Sequence, residues 1–145
     1  MDAQQLAQAC AEAMYSNDRA CKGLGMELPI VSPGFAEMSM AVRPEMLNGH
    51  DVCHGGFIFA LADTAFAYAC NSQNLNAVAS GARIEFLAPG RDGDILTAHA
   101  EVKAQGGRTG LYDVSVTNQD DKQIALFRGN SHRIGGTLVD DGESS

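Results

Sequence analysis

The sequence predicts an α+β fold in which an antiparallel sheet carries a long buried helix on one face, and three observations lead there. The chain has 145 residues, of which 45% are hydrophobic, enough for one domain with a sizeable core and too few for two comfortable ones. Residues 57–70 form an apolar run at helical spacing, interrupted by a single acid, Asp63. Around that run lie segments of period-two alternation, two before it and four after it, separated by turn residues. Strands that can join through tight turns, plus one helix needing cover, make a sheet-and-helix layer arrangement.

The elements follow in order. Residues 3–20 are rich in alanine and glutamine, and Leu6, Cys10, Ala13 and Met14 can share one face, which predicts a short amphipathic leading helix. From Gly25 the period changes: Met26, Leu28 and Ile30 alternate, Ser32-Pro33-Gly34 has turn chemistry, and Ala36, Met38, Met40 and Val42 alternate again, as in a β-hairpin. Residues 44–47 suit one helical turn opened by Pro44. In the central helix Ile58, Leu61, Ala62, Ala65, Phe66 and Ala69 define one face. Phe59, Ala60, Asp63 and Ala67 lie opposite, so the helix is apolar nearly all round and must be covered on more than one side. Asn71-Ser72-Gln73-Asn74 forms a polar exit, and strands are expected at 77–87, 95–104, 110–117 and 123–132. The acidic, serine-ending segment at about 136–145 is expected to fray.

Composition narrows the function. A net charge of −8 leaves no basic stripe to neutralise phosphates, which argues against a nucleic-acid binder and disfavours a membrane surface. No apolar run approaches the roughly 20 residues of a membrane-spanning helix. Cys10, Cys21, Cys53 and Cys70 show no CxxC spacing, and no basic segment leading into an apolar one opens the chain, so reduced thiols in the cytoplasm are expected.

The chemistry concentrates in Asn48-Gly49-His50-Asp51-Val52-Cys53-His54-Gly55-Gly56, a polar loop that runs into the central helix. A helix N-terminus offers unpaired backbone N–H groups and the positive end of a dipole, the setting of an oxyanion site. The lone carboxylate of Asp63 on the same helix is costly to bury without a partner or a chemical task.

Asn48-Gly49-His50, Cys53-His54-Gly55-Gly56 and Leu61-Ala62-Asp63-Thr64 resemble the motif of hotdog-fold acyl-CoA thioesterases of the phenylacetic acid degradation type, with the acid seven residues beyond the second glycine. The resemblance spans the chain from the leading helix to about Ile134. It implies the hotdog fold, an antiparallel sheet wrapped around a long central helix, and hydrolysis of an aryl-acyl-CoA such as phenylacetyl-CoA or a hydroxylated relative. By the same resemblance the Gly55 N–H forms the oxyanion hole, Asp63 is base or nucleophile, and Asn48 orients the water or the acid. His54 holds the loop or the thioester, Thr64 assists beside the acid, and Gly56 allows close approach. No cofactor is implied beyond coenzyme A as part of the substrate.

Thioester cleavage needs those same parts, a donor at the carbonyl oxygen and a carboxylate that activates water or attacks. Gly55 and Asp63 are eight residues apart, roughly 12 Å along one straight helix, whereas one carbonyl touches groups within about 3–3.5 Å. A site shared between subunits of a homodimer, itself expected to pair into a dimer of dimers, resolves the mismatch. Coenzyme A is polyanionic, so Arg83, Arg91 and Arg108, the last in the turn Gly106-Gly107-Arg108-Thr109, are the candidate phosphate contacts, with Thr109 beside them. The turn lacks Walker spacing. Met46, Phe57, Phe59, Phe66 and Tyr68 are candidates for an acyl pocket, or for plain core.

Rival readings are a Cys53 thiol nucleophile and a metal held by His50, Cys53, His54 and Asp63, which lacks a second ligand cluster. A hotdog acyl-thioester dehydratase or hydratase would need an Asp…Asn-Pro…His order that is missing. A non-catalytic acyl-CoA-binding protein would have no need of Asp63.

Overall fold

The computed structural model describes residues 1–141. Two helices lead, α1 (Ala3–Asn17) and α2 (Arg19–Gly23), followed by a hairpin of β1 (Ile30–Ser32) and β2 (Phe35–Ala41) and a 3₁₀ turn at Pro44–Met46. The central helix α3 (Gly55–Cys70) precedes β3 (Ala77–Phe86), β4 (Ile95–Gln105), β5 (Thr109–Thr117) and β6 (Gln123–Arg133). The strands form one antiparallel sheet in the order β1-β2-β4-β5-β6-β3. α3 lies across one face and touches all six strands. No helix among the described residues is long and apolar enough to cross a membrane.

The expected leading helix over 3–20 is two helices. Asp18 leaves helical geometry, and its carboxylate accepts from the Cys21 N–H at 3.1 Å and from the Tyr68 hydroxyl at 3.2 Å. It thereby caps α2 and ties it to α3. The buried face of α1 is also rotated from the expected one: Ala7, Cys10 and Ala11 are buried, with Leu6 and Ala13 on the flanks. Small residues let α1 lie close over β1, and the Gln4 side-chain amide donates to the Val31 carbonyl at 2.7 Å. The first strand begins at Ile30, later than the alternation from Met26 suggested. Gly34, at φ +74°, turns the hairpin, and its N–H donates to the Ser72 hydroxyl.

α3 buries Ile58, Leu61, Ala62, Ala65, Phe66 and Ala69, the predicted face, together with Tyr68 and Cys70. Facing them from the sheet are Met38, Met40, Leu96, Ala98, Tyr112, Val114 and Phe127. Met46, Phe66 and Tyr68 are wholly core, whereas Phe57 and Phe59 are only half-buried.

The polar exit after α3 is not solvated as expected. Asn71, Ser72 and Asn74 are buried. Asn71 donates to the Ala77 carbonyl and accepts from the Ala77 N–H, which starts β3. Asn74 accepts at Oδ1 from the N–H groups of Leu138 and Val139 and donates to the Val139 carbonyl, each at 2.9 Å. Of the residues expected to fray, Leu138 and Val139 are held by that amide, and Asn76 donates to the carbonyls of Gly136 and Thr137 at 3.2 and 3.5 Å; residues 142–145 lie outside the described residues.

Candidate active site

The loop before α3 is built around Asn48. Its side-chain Oδ1 accepts from the His50 N–H at 2.9 Å and the Val52 N–H at 3.4 Å, while its own N–H donates to the Val52 carbonyl at 2.8 Å. Asp51 completes the tight turn at φ +57°. The loop exit is lashed on both sides, with the Cys53 N–H donating to the Gly90 carbonyl at 2.7 Å and the His54 N–H to the Met46 carbonyl at 2.8 Å. His54 therefore enters α3 in a fixed pose, at φ −59° and ψ 133°.

His54 is the N-cap of α3. The Gly56 N–H donates to its Nδ1 at 3.0 Å, which places the imidazole hydrogen of the neutral ring on Nε2, free to donate outward. The Phe57 N–H is taken by the His54 carbonyl at 3.0 Å. The Gly55 N–H has no partner among the described residues. One first-turn donor is thus left at the positive end of a 16-residue helix. The side chain of Asn48 spends its oxygen on the loop, and its amide hydrogens have no partner among the described residues.

Asp63 lies two turns further along α3, on the stripe it shares with Gly56, Ala60 and Ala67. It is half-buried and makes no hydrogen bond or ion pair among the described residues. Burial pushes its carboxyl above the usual carboxylate range. Thr64 donates its hydroxyl to the Ala60 carbonyl at 2.6 Å, which leaves only lone pairs for any further role. Cys53 is buried, its Sγ donates to the His54 carbonyl, and burial pushes the thiol up, the opposite of an activated nucleophile.

Around this center the structure separates residues that sequence grouped together. Arg83 and Glu85 point away from α3, to the opposite sheet face, and pair with each other at 3.0 Å. That face holds a cavity of about 620 Å³ lined with ion pairs, including Arg128 with Asp113, and it is remote from Gly55 and Asp63. Arg83 is therefore not brought to the loop. Arg91 is exposed in the turn closed by Asp94, which accepts from its N–H at 2.8 Å. Arg108 is exposed in the turn joining β4 to β5, where the Gly106 N–H donates to the Thr109 carbonyl at 2.8 Å and the Arg133 N–H to the Arg108 carbonyl at 2.7 Å. Thr109 opens β5 opposite His132. Gly56 faces the His54 imidazole: a Cβ there would lie 3.2 Å from Nδ1. Sequence reasoning missed Phe86, whose ring lies against Gly55; its alternation with Ile84 was the available signal, since that places both on the helix side of β3.

A glycine-rich loop feeding a helix N-terminus, with a desolvated acid on the same helix, is matched by a family model described as the thioesterase superfamily over residues 50–125, just over half of the chain. The chain belongs to the thioesterase superfamily. It is 58% identical over 129 residues to the acyl-coenzyme A thioesterase PaaI of Escherichia coli, covering 89% of this chain and 92% of that protein. The solved structure of the E. coli PaaI protein, from the phenylacetic acid degradation operon, superposes with a TM-score of 0.91 at 56% identity, over 94% of this chain and 99% of the other. A Streptococcus mutans structure bound to acetyl CoA matches at 27% identity and a TM-score of 0.72, over 75% of this chain and 89% of the other. The hotdog fold of this superfamily is the architecture described above.

Proposed function

We propose that this protein is an acyl-CoA thioesterase that hydrolyses an aryl-acyl-CoA, such as phenylacetyl-CoA or a hydroxylated relative, to the free acid and CoA. One observation carries the reading: among the described residues, α3 offers an unpartnered Gly55 N–H at its start and an unpartnered, desolvated Asp63 carboxylate two turns on. Both are costs to a fold that had no use for them. The close relationship to the E. coli thioesterase supports the same activity.

In this reading the thioester oxygen accepts from the Gly55 N–H, and negative charge developing there is favored by the helix N-terminus. Asp63 delivers the nucleophile, either by taking a proton from water as its oxygen attacks the carbonyl carbon or by attacking directly. The C–S bond breaks, and the CoA thiolate leaves to take up a proton; after direct attack the acyl group stays on Asp63 as a mixed anhydride, which water hydrolyses to the free acid and the regenerated carboxylate. Nε2 of His54 donates toward the thioester, and the free amide of Asn48 orients the attacking group. No metal or redox group is called for.

The two halves come from different subunits in this reading. Gly55 and Asp63 stand roughly 12 Å apart along α3, too far for one carbonyl. β3 is a ten-residue sheet edge with no partner on its outer side among the described residues, and Val78, Phe86 and Leu87 near it are exposed. A second copy paired there would cover the edge. We place the protein in the cytoplasm, since its four cysteines are free and buried. The deciding experiment is release of free thiol from a panel of acyl-CoA thioesters. Steady turnover with an aryl-acyl-CoA substrate among the best is the expected result, and no turnover of any member would reject the reading.

A further inference from the structure

Phe86 ends β3 and is 53% exposed, yet its ring is not loose on the surface. A Cβ built on Gly55 would stand 2.9 Å from the ring's Cζ and 3.3 and 3.4 Å from the two Cε atoms, so the tip of the ring occupies the space a side chain at residue 55 would take. Glycine at 55 is what lets it approach. An exposed aromatic ring against the backbone of Gly55, whose N–H has no partner among the described residues, calls for an account. Nothing in the core explains it, because Phe86 is not among the residues packed against the core, whereas its strand neighbor Ile84 is.

We propose that Phe86 is a specificity-determining residue, the apolar wall on which the acyl group of the thioester packs while its carbonyl oxygen faces the Gly55 N–H. The inference rests on the thioesterase reading and names a group that reading lacks. A thioester carbonyl within hydrogen-bond reach of Gly55 puts its first acyl carbons within a few ångströms of that backbone, where the ring tip already sits. An aromatic acyl group can stack on or meet the edge of the ring, whereas the single methyl of an acetyl group offers too little surface for that contact. An acyl group packed on the ring would shield the oxyanion donor from water during reaction.

The experiment compares wild-type protein with Phe86→Ala and Phe86→Leu on phenylacetyl-CoA and acetyl-CoA. It is paired with calorimetric binding of the uncleavable thioether S-phenethyl-CoA and of free CoA, and with size-exclusion chromatography. Phe86→Ala is expected to lower kcat/KM for phenylacetyl-CoA at least ten-fold more than for acetyl-CoA, with Phe86→Leu between. The thioether's advantage over free CoA should shrink by a similar factor while the oligomer is retained. Equal losses on both substrates, no loss, or a loss that follows dissociation of subunits would overturn the proposal and make Phe86 a structural or interface residue. If wild-type protein hydrolyses neither thioester, the aryl-acyl-CoA reading falls, and the thioether comparison alone decides whether Phe86 walls an acyl site.

Discussion

Asp63 is a residue whose charge the fold disfavors, and that makes its behavior with pH informative in two ways. Desolvation raises its carboxyl in the folded state above the value in the unfolded chain. Between those two values the native protein holds the extra proton, so Asp63's contribution to stability is full at low pH and is lost as pH rises through the raised value. Asp63→Asn should therefore melt higher than wild type at neutral pH, with the difference vanishing below about pH 4, as thermal unfolding across pH would show. Catalysis runs the other way. As base or nucleophile the group must be ionised, so the acid limb of the kcat profile should lie above the ordinary aspartate range, and Asp63→Asn should lower kcat by about 10² or more. A variant that is less stable at neutral pH and still active would show that the carboxylate supports the fold and has no part in the reaction.

The start of α3 allows its oxyanion donor to be deleted without breaking the helix, at the cost of moving the Phe86 ring. Gly55 is the first helical residue, where proline is tolerated, and His54 at ψ 133° already has the extended geometry a residue before proline requires. Gly55→Pro should keep the helix, displacing only the exposed ring of Phe86, and lower kcat by about 10²–10³, the scale of losing one such donor. Retained circular dichroism with near-normal kcat would remove Gly55 from the mechanism. At the other end of α3, Asn74 adopts φ +64° and latches Leu138 and Val139. Asn74→Ala should cost about 2–4 kcal/mol in urea unfolding and open residues 136–141 to proteolysis; Asn74→Gly, which keeps the backbone, isolates the share of the hydrogen bonds. These elements also show what a sequence can reveal. The central helix, the four later strands and the loop into Gly55 were legible because their signals are contiguous: an apolar stripe, alternation and a polar cap within a few residues. The break at Asp18 depends on Tyr68, the burial of Asn74 on Val139, and the position of Phe86 on Gly55. Each joins residues far apart in the chain, where local pattern carries no information. Arg83 lies away from this chain's loop for a related reason: its type suited a phosphate, and strand alternation turned it to the other face of the sheet.

At the scale of the whole molecule, a chain of net charge −8 must concentrate cations to hold a polyanionic thioester. Arg108 is exposed, and its turn is braced by Arg133, whose N–H and guanidinium donate to the carbonyls of Arg108 and Gly107 at 2.7 and 3.2 Å. Arg108→Ala should raise KM for acyl-CoA several-fold, more at low than at high salt, and leave an acyl-pantetheine thioester nearly unaffected. Equal effects on both substrates would assign Arg108 to the fold and pass the phosphates to another cation, with Arg91 next to test. The shared site is the larger claim. If one subunit supplies Gly55 and the other Asp63, a dimer of one Asp63→Ala chain and one Gly55→Pro chain holds one site with both intact groups and one site with neither. If each chain served its own substrate, both sites in that mixed dimer would be broken. Mixed dimers, co-expressed with two tags and purified on each in turn, should therefore recover about half of wild-type kcat per dimer, while each parent stays near background. The recovery should disappear when both substitutions are placed in the same chain and that chain is paired with itself. Mixed dimers as inactive as their parents, with folding and composition verified, would confine the chemistry to one subunit and require α3 to bend until residues two turns apart reach one carbonyl.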